Sequence, residues 1–101
     1  MQSLGEILKN ARKKTNTVLR KVSVEVDIDL SLISKFEKNE RKPTKQQLVR
    51  LAHFYGLSEK DLLISWYAEK IADELKYVEA ITEILKTAEE KIVYYKSKGN
   101  G

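Results

Sequence analysis

Between Leu19 and Lys38 the chain reads LRKVSVEVDIDLSLISKFEK, and this stretch leaves few folds open. Val22 and Val26 stand four apart and so share one face of a helix, while Ile33 and Phe36, three apart, share a face of a second helix. Asp27-Ile28-Asp29 joins the two as a tight turn, and Ile28 adds a fifth apolar side chain to the same interior. Burying these five leaves Leu30, Ser31, Ser34 and Lys35 on the outer face of the second helix. A short helix held out from a small core, with small polar and basic groups facing outward, has the shape a DNA major groove accepts.

Helical signals flank this stretch on both sides. Ser3 with Glu6 three residues on is a capping box, and Leu4, Ile7, Leu8 and Ala11 follow the apolar stripe of a helix from Leu4 to about Lys14. Arg12-Lys13-Lys14 closes that helix, where cations suit the negative end of the macrodipole; this reading is preferred to DNA contact. The next two helices are expected over Val18–Val26 and Leu30–Lys38, the latter capped by the carboxylate of Asp29. Thr44 with Gln47 is a second capping box, opening a helix that carries Leu48, Leu51, Ala52 and Tyr55 and stops at Gly56. Leu57 packs beneath it, and Ser58 caps a fifth helix with Asp61 in its first turn.

With these residues assembled, the segment from Leu4 to Leu63 resembles the helix-turn-helix of the phage repressor and Cro class, also called the XRE class. The resemblance is carried by Leu4-Gly5, by the two helices around Asp27-Ile28-Asp29, by Phe36-Glu37-Lys38-Asn39-Glu40-Arg41-Lys42-Pro43, and by Leu48–Tyr55 with Gly56-Leu57-Ser58. It implies an all-α fold: a five-helix repressor-like domain over 1–63, followed by a C-terminal helical extension over 64–101. It also implies a homodimer that binds a palindromic operator in double-stranded DNA and regulates transcription. By position in the family's motif, Leu30, Ser31, Ser34 and Lys35 become base readers, and Arg20, Lys38, Arg41 and Lys42 fall where phosphates are clamped. Four positions depart from the family's usual residues, among them Leu30, near whose place the family often has glutamine or arginine. Asp27 and Asn39 stand where glycine is common, and both tolerate the left-handed backbone better than most residues. Ser23 replaces a frequent alanine in the middle of helix 2 and is still small enough for close helix approach. Glu37 is expected to steady the fold through an ion pair with a basic residue of helix 2 or of the loop after helix 3.

Charge agrees with this division. Residues 1–57 hold twelve Lys/Arg against six Asp/Glu, whereas residues 58–101 hold seven against nine, so the net +4 is concentrated on the helix-turn-helix half. The 101 residues are 42% hydrophobic and 34% charged, enough for one modest core that dimerisation would help. Cysteine is absent, which excludes disulfides and thiolate metal sites. His53 is the only histidine, and no nucleophile–histidine–acid spacing or glycine-rich phosphate loop occurs, so neither an enzyme nor a cofactor is expected. MQSLGEILKN carries an early glutamate and no signal-peptide core, no apolar run reaches membrane-spanning length, and a cytoplasmic address is the expectation.

From Ser58 no glycine or proline interrupts the chain until Gly99, and Ile64, Tyr67, Ile71, Leu75, Val78, Ile81, Leu85, Ala88, Ile92 and Tyr95 follow a coiled-coil-like seam. A helix of that length either bends near Lys76–Glu79 or pairs with a second copy. The favoured reading is a break there, a sixth helix over Val78–Lys96, and a frayed end over Ser97–Gly101. Dimerisation is assigned to Ile71, Leu75, Val78, Ile81 and Leu85. Trp66, Tyr67, Tyr77, Tyr94 and Tyr95 are read as core or subunit interface in preference to base-stacking groups. The alternatives are an antitoxin-type module whose C-terminal helices grip a protein partner, and a structural helical adaptor that keeps the fold without binding DNA.

Overall fold

Capping residues set where the helices begin. In the computed structural model, which describes residues 1–99, α1 (Leu4–Lys14) starts at Ser3, whose hydroxyl oxygen accepts the Glu6 N–H at 3.1 Å. Only half of the expected box forms there, because the Glu6 carboxylate turns to the Ser3 hydroxyl at 3.2 Å. At α4 (Lys45–Tyr55) the box is complete: the Thr44 N–H donates to Gln47 Oε1 at 2.9 Å, and Gln47 N–H donates back to Thr44 Oγ1 at 3.1 Å. α2 (Leu19–Val26) begins one residue later than the sequence implied, since Val18 sits in extended backbone as the N-cap. α3 spans Leu30–Glu37, with Lys38 as its C-cap. α5 (Glu59–Leu75) opens at Ser58, whose hydroxyl accepts the Asp61 N–H, and α6 spans Ile81–Gly99. The architecture is therefore six helices, with no strand among the described residues.

By its contacts the chain divides into two units, Met1–Lys70 and Ile71–Gly101. In the first, α1 packs on α3 and α4, and α2 packs on α3 and α4. Val22, Ile33, Leu48 and Leu51 are its most completely buried side chains, joined by Leu4, Leu8, Val26, Ile28, Phe36, Ala52 and Leu62. Each Val, Leu, Ile and Phe among them contributes about 1.5–3 kcal/mol relative to exposure. Trp66 belongs to the same core and gives its indole N–H to the Pro43 carbonyl at 2.8 Å, so the unit reaches past residue 63. Lys70 places its amine over the Trp66 ring, 3.9 Å from the centroid.

Two left-handed residues make the turns that aim α3. Asp27 (φ 54°) ends α2, and Asn39 (φ 61°) follows α3. The α2 turn is secured three ways: the Ile28 N–H returns to the Ser23 carbonyl at 3.2 Å, Ser23 Oγ donates to the Ile28 carbonyl at 2.5 Å, and Arg50 of α4 donates to the carbonyls of Val26 and Asp27, each at 3.3 Å. Ser23 therefore supplies a hydrogen bond that alanine at this position would lack.

In the second unit, the break expected near Lys76–Glu79 occurs: α5 ends at Leu75, and Ala80 adopts a φ of 58° just before α6. Two expectations need correcting. α6 begins at Ile81, three residues after Val78, because the left-handed Ala80 interrupts the helix. It also continues through Ser97, Lys98 and Gly99, where fraying was expected; Lys96 and Lys98 in its last turn suit the dipole there. Asn100 and Gly101, the remainder of that expectation, lie outside the described residues. No residue of α6 is buried. Among the described residues, no helix is long and apolar enough to cross a membrane.

Candidate nucleic-acid interface

α3 is fixed at both ends and along its inner side. At its start, Asp29 Oδ2 accepts the Ser31 N–H at 3.1 Å and also the Ser31 hydroxyl. These bonds, the hydroxyl first among them, hold the Asp29 carboxyl below the usual carboxylate range. Ile33 and Phe36 fill the core beneath. At the far end the Asn39 amide ties α3 to the start of α1, with Oδ1 accepting the Gly5 N–H at 3.1 Å and Nδ2 donating to Ser3 Oγ at 2.9 Å. The approach is close: a Cβ on Gly5 would stand 2.5 Å from both Asn39 Oδ1 and the Phe36 carbonyl oxygen. Glycine is required there for space.

The outward side carries the four residues expected to read bases. Leu30 (39% exposed), Ser31 and Lys35 are open to solvent, and Ser34 is half-buried. Among the phosphate candidates, Arg20, Lys38 and Arg41 are exposed. Lys42 differs, because its amine lies 3.2 Å from Glu69 Oε1, and the other oxygen of Glu69 accepts the Leu4 N–H at 2.5 Å. One acid of α5 thus holds both a candidate clamp and the first turn of α1.

Glu37 is the one buried charged residue among those described, and its partner was misplaced by the sequence reading. It pairs with Arg12 of α1, not with helix 2 or the following loop: Nε donates to Oε2 at 2.8 Å and Nη2 to Oε1 at 3.0 Å. Arg12 also donates to the Thr17 carbonyl at 3.2 Å, which ties the α1–α2 link to the same group. The Glu37 bond is the chief reason the guanidinium is held above its ordinary range. Arg12 is therefore a structural cation, a role hidden within the run Arg12-Lys13-Lys14. Tyr55 lies in the field of this pair, and burial, reinforced by Glu37 and opposed by Arg12, pushes its phenol up to about 12.

In the second unit the expected seam is largely uncovered. Ile71, Val78, Ile81 and Leu85 are each more than 40% exposed, and Leu75 is half-buried. Of the five C-terminal aromatics, Trp66 is core, whereas Tyr67, Tyr77, Tyr94 and Tyr95 are exposed.

Comparison with known proteins agrees with this geometry. The family model described as Helix-turn-helix domain matches residues 5–65, more than half of the chain. The crystal structure of the clp gene regulator ClgR from Corynebacterium glutamicum is similar at 20% identity with a TM-score of 0.56, covering 84% of this chain and 88% of that one. A chain of a SinR protein/SinI protein complex is similar at 20% identity with a TM-score of 0.55, covering 97% of this chain and 99% of that one. At such identities these likenesses speak for the fold alone. Comparison with curated proteins gives no match.

Proposed function

The chain belongs to the helix-turn-helix domain family of the phage repressor and Cro (XRE) class, a family of DNA-binding transcription regulators, and on that premise we propose that it is a sequence-specific regulator acting as a homodimer on a palindromic operator. The observation that carries the reading is the outer face of α3, where Leu30, Ser31 and Lys35 stand exposed on a helix pinned by Asp29, Asn39 and the Arg12–Glu37 pair. Lys35 donates to guanine O6 or N7, the serines meet polar base edges, and Leu30 presses on a thymine methyl. Arg20, Lys38 and Arg41 neutralise phosphates and set register, with Lys42 joining them from its pairing with Glu69.

Dimerisation through Ile71, Leu75, Val78, Ile81 and Leu85 would cover apolar surface that this chain by itself leaves open. It would place two α3 helices in successive major grooves, ~34 Å apart. Retardation of duplex DNA in a gel, with affinity falling as salt rises by roughly 0.9 log units per neutralised phosphate, tests the reading; no retardation of any genomic fragment removes it.

A second reading is favoured by one observation. Tyr77, Tyr94 and Tyr95 expose aromatic surface on the C-terminal unit, and the SinR chain that this one resembles is found with a second protein, SinI. An antitoxin-type module would use that surface to bind a protein partner. Co-purification of a stoichiometric second protein, with loss on Tyr94→Ala, distinguishes it from a homodimer.

A further inference from the structure

The two serines of α3 differ in what they have left to offer a base. A serine hydroxyl normally both donates and accepts. The Ser31 hydroxyl donates to Asp29 Oδ2, and the Ser31 backbone N–H donates to that same oxygen at 3.1 Å, which pins the side chain against the cap. Ser31 is also exposed on the outer face of the helix. What it shows a duplex is an oxygen with lone pairs, its proton being engaged by Asp29. The hydroxyl of Ser34, by contrast, has no partner among the described residues and keeps both capacities. Lys35, one turn from Ser31, has only protons to give.

In the major groove, adenine N6 and cytosine N4 are donors, whereas guanine O6 and N7 and thymine O4 are acceptors. Resting on the reading of α3 as a major-groove helix, we infer that Ser31 is an acceptor-only base reader, made so by Asp29. It selects adenine or cytosine on the strand it contacts and rejects guanine or thymine. Asp29 is the positioning residue: it is ionised at neutral pH, accepts only, and turns the Ser31 proton away from the groove. Its carboxylate belongs on the same side of the ledger, since a second acceptor beside Ser31 is compatible with an amino group and repels a keto oxygen. The exposed face of α3 thus has a polarity, acceptor at Ser31 and donor at Lys35.

The test is selection of bound duplexes from a random pool by the full chain, Ser31→Ala and Asp29→Asn, with sequencing of the enriched pools and circular dichroism to verify folding. Asparagine caps a helix about as well as aspartate, but its amide N–H can occupy the Ser31 oxygen and free the hydroxyl proton. The operator position that Ser31→Ala flattens should show adenine or cytosine preferred by the unaltered chain, by roughly three- to tenfold. Asp29→Asn should admit guanine or thymine at that position and spare the preference opposite Lys35. Guanine or thymine preferred by the unaltered chain there, or a preference that Asp29→Asn leaves intact, overturns the inference. So does a Ser31→Ala pool identical to the original. These outcomes leave DNA binding standing; a pool in which the unaltered chain enriches no sequence removes the DNA-reading proposal itself, and this inference with it.

Discussion

Arg12 of α1 and Glu37 of α3 form a two-pronged ion pair, with Nε 2.8 Å from Oε2 and Nη2 3.0 Å from Oε1, and Glu37 is buried beneath it. A planar guanidinium gives each carboxylate oxygen its own parallel N–H bond, a fork that the point charge of an ammonium does not match. The pair locks the last turn of α3 to α1, so the orientation of the outer face depends on a charge that the face does not display. Removing one partner leaves the other desolvated and alone. Arg12→Ala should cost about 3–5 kcal/mol in urea denaturation, Arg12→Lys less, and Arg12→Met with Glu37→Leu should recover most of the loss.

The contact of Gly5 with α3 is limited by space. Gly5→Ala should destabilise the fold by about 1–3 kcal/mol, because the added methyl meets a side-chain oxygen and a backbone oxygen at 2.5 Å. Combining it with Asn39→Gly should restore only part of the loss, since the Phe36 carbonyl cannot move away without unwinding α3. Thermal melts of the two variants check this.

These two relationships mark where the sequence was readable and where it was not. Helix positions were legible because caps and apolar stripes are local: Thr44 with Gln47, Asp29 with Ser31, and Gly56 in the left-handed region (φ 66°) at the end of α4 lie close to the turns they govern. The spacing of Val22 with Val26 and of Ile33 with Phe36, and the place of Ile28 in the turn between them, mark a core, and all five are buried. The tertiary polar contacts were hidden. Glu37 was recognised as structural, but three cations in a row at Arg12-Lys13-Lys14 gave no sign of which one reaches across to it. Asn39 is the left-handed stop that its place after α3 suggests, yet nothing local shows that its amide also binds Gly5 and Ser3. In sequence Lys42 is indistinguishable from its basic neighbours, because its partner Glu69 lies 27 residues on. The end of α6 was misjudged because glycine and serine weigh against a helix locally, while Lys96 and Lys98 in the last turn favour it.

Tyr55 supplies a pH dependence. Its phenol is pushed up to about 12, chiefly by burial, so the folded state favours the neutral form. The associated stability is fully present below the ordinary tyrosine value of about 10 and is lost as pH rises from there toward 12. The Tyr55 hydroxyl is buried and has no hydrogen-bond partner among the described residues, so Tyr55→Phe should retain neutral-pH stability. It should also lose less stability than the unaltered chain between pH 10 and 12, as followed by denaturant midpoints.

The uncovered seam of the second unit carries a prediction about assembly. Light scattering at micromolar concentration should give the mass of a dimer. Ile81→Asp with Leu85→Asp should give a monomer whose first unit keeps the fluorescence of buried Trp66. A monomer from the unaltered chain removes the assignment of dimerisation to these residues.

The most direct test of α3 as the reading helix is a binding titration of Lys35→Ala and Arg41→Ala against a selected duplex and a random one, at fixed salt. Arg41→Ala should weaken both duplexes by a similar factor, since a phosphate contact carries no sequence. Lys35→Ala should narrow the gap between the two duplexes by about 1–3 kcal/mol. If the two variants lose affinity in the same pattern, the outer face of α3 does not read bases.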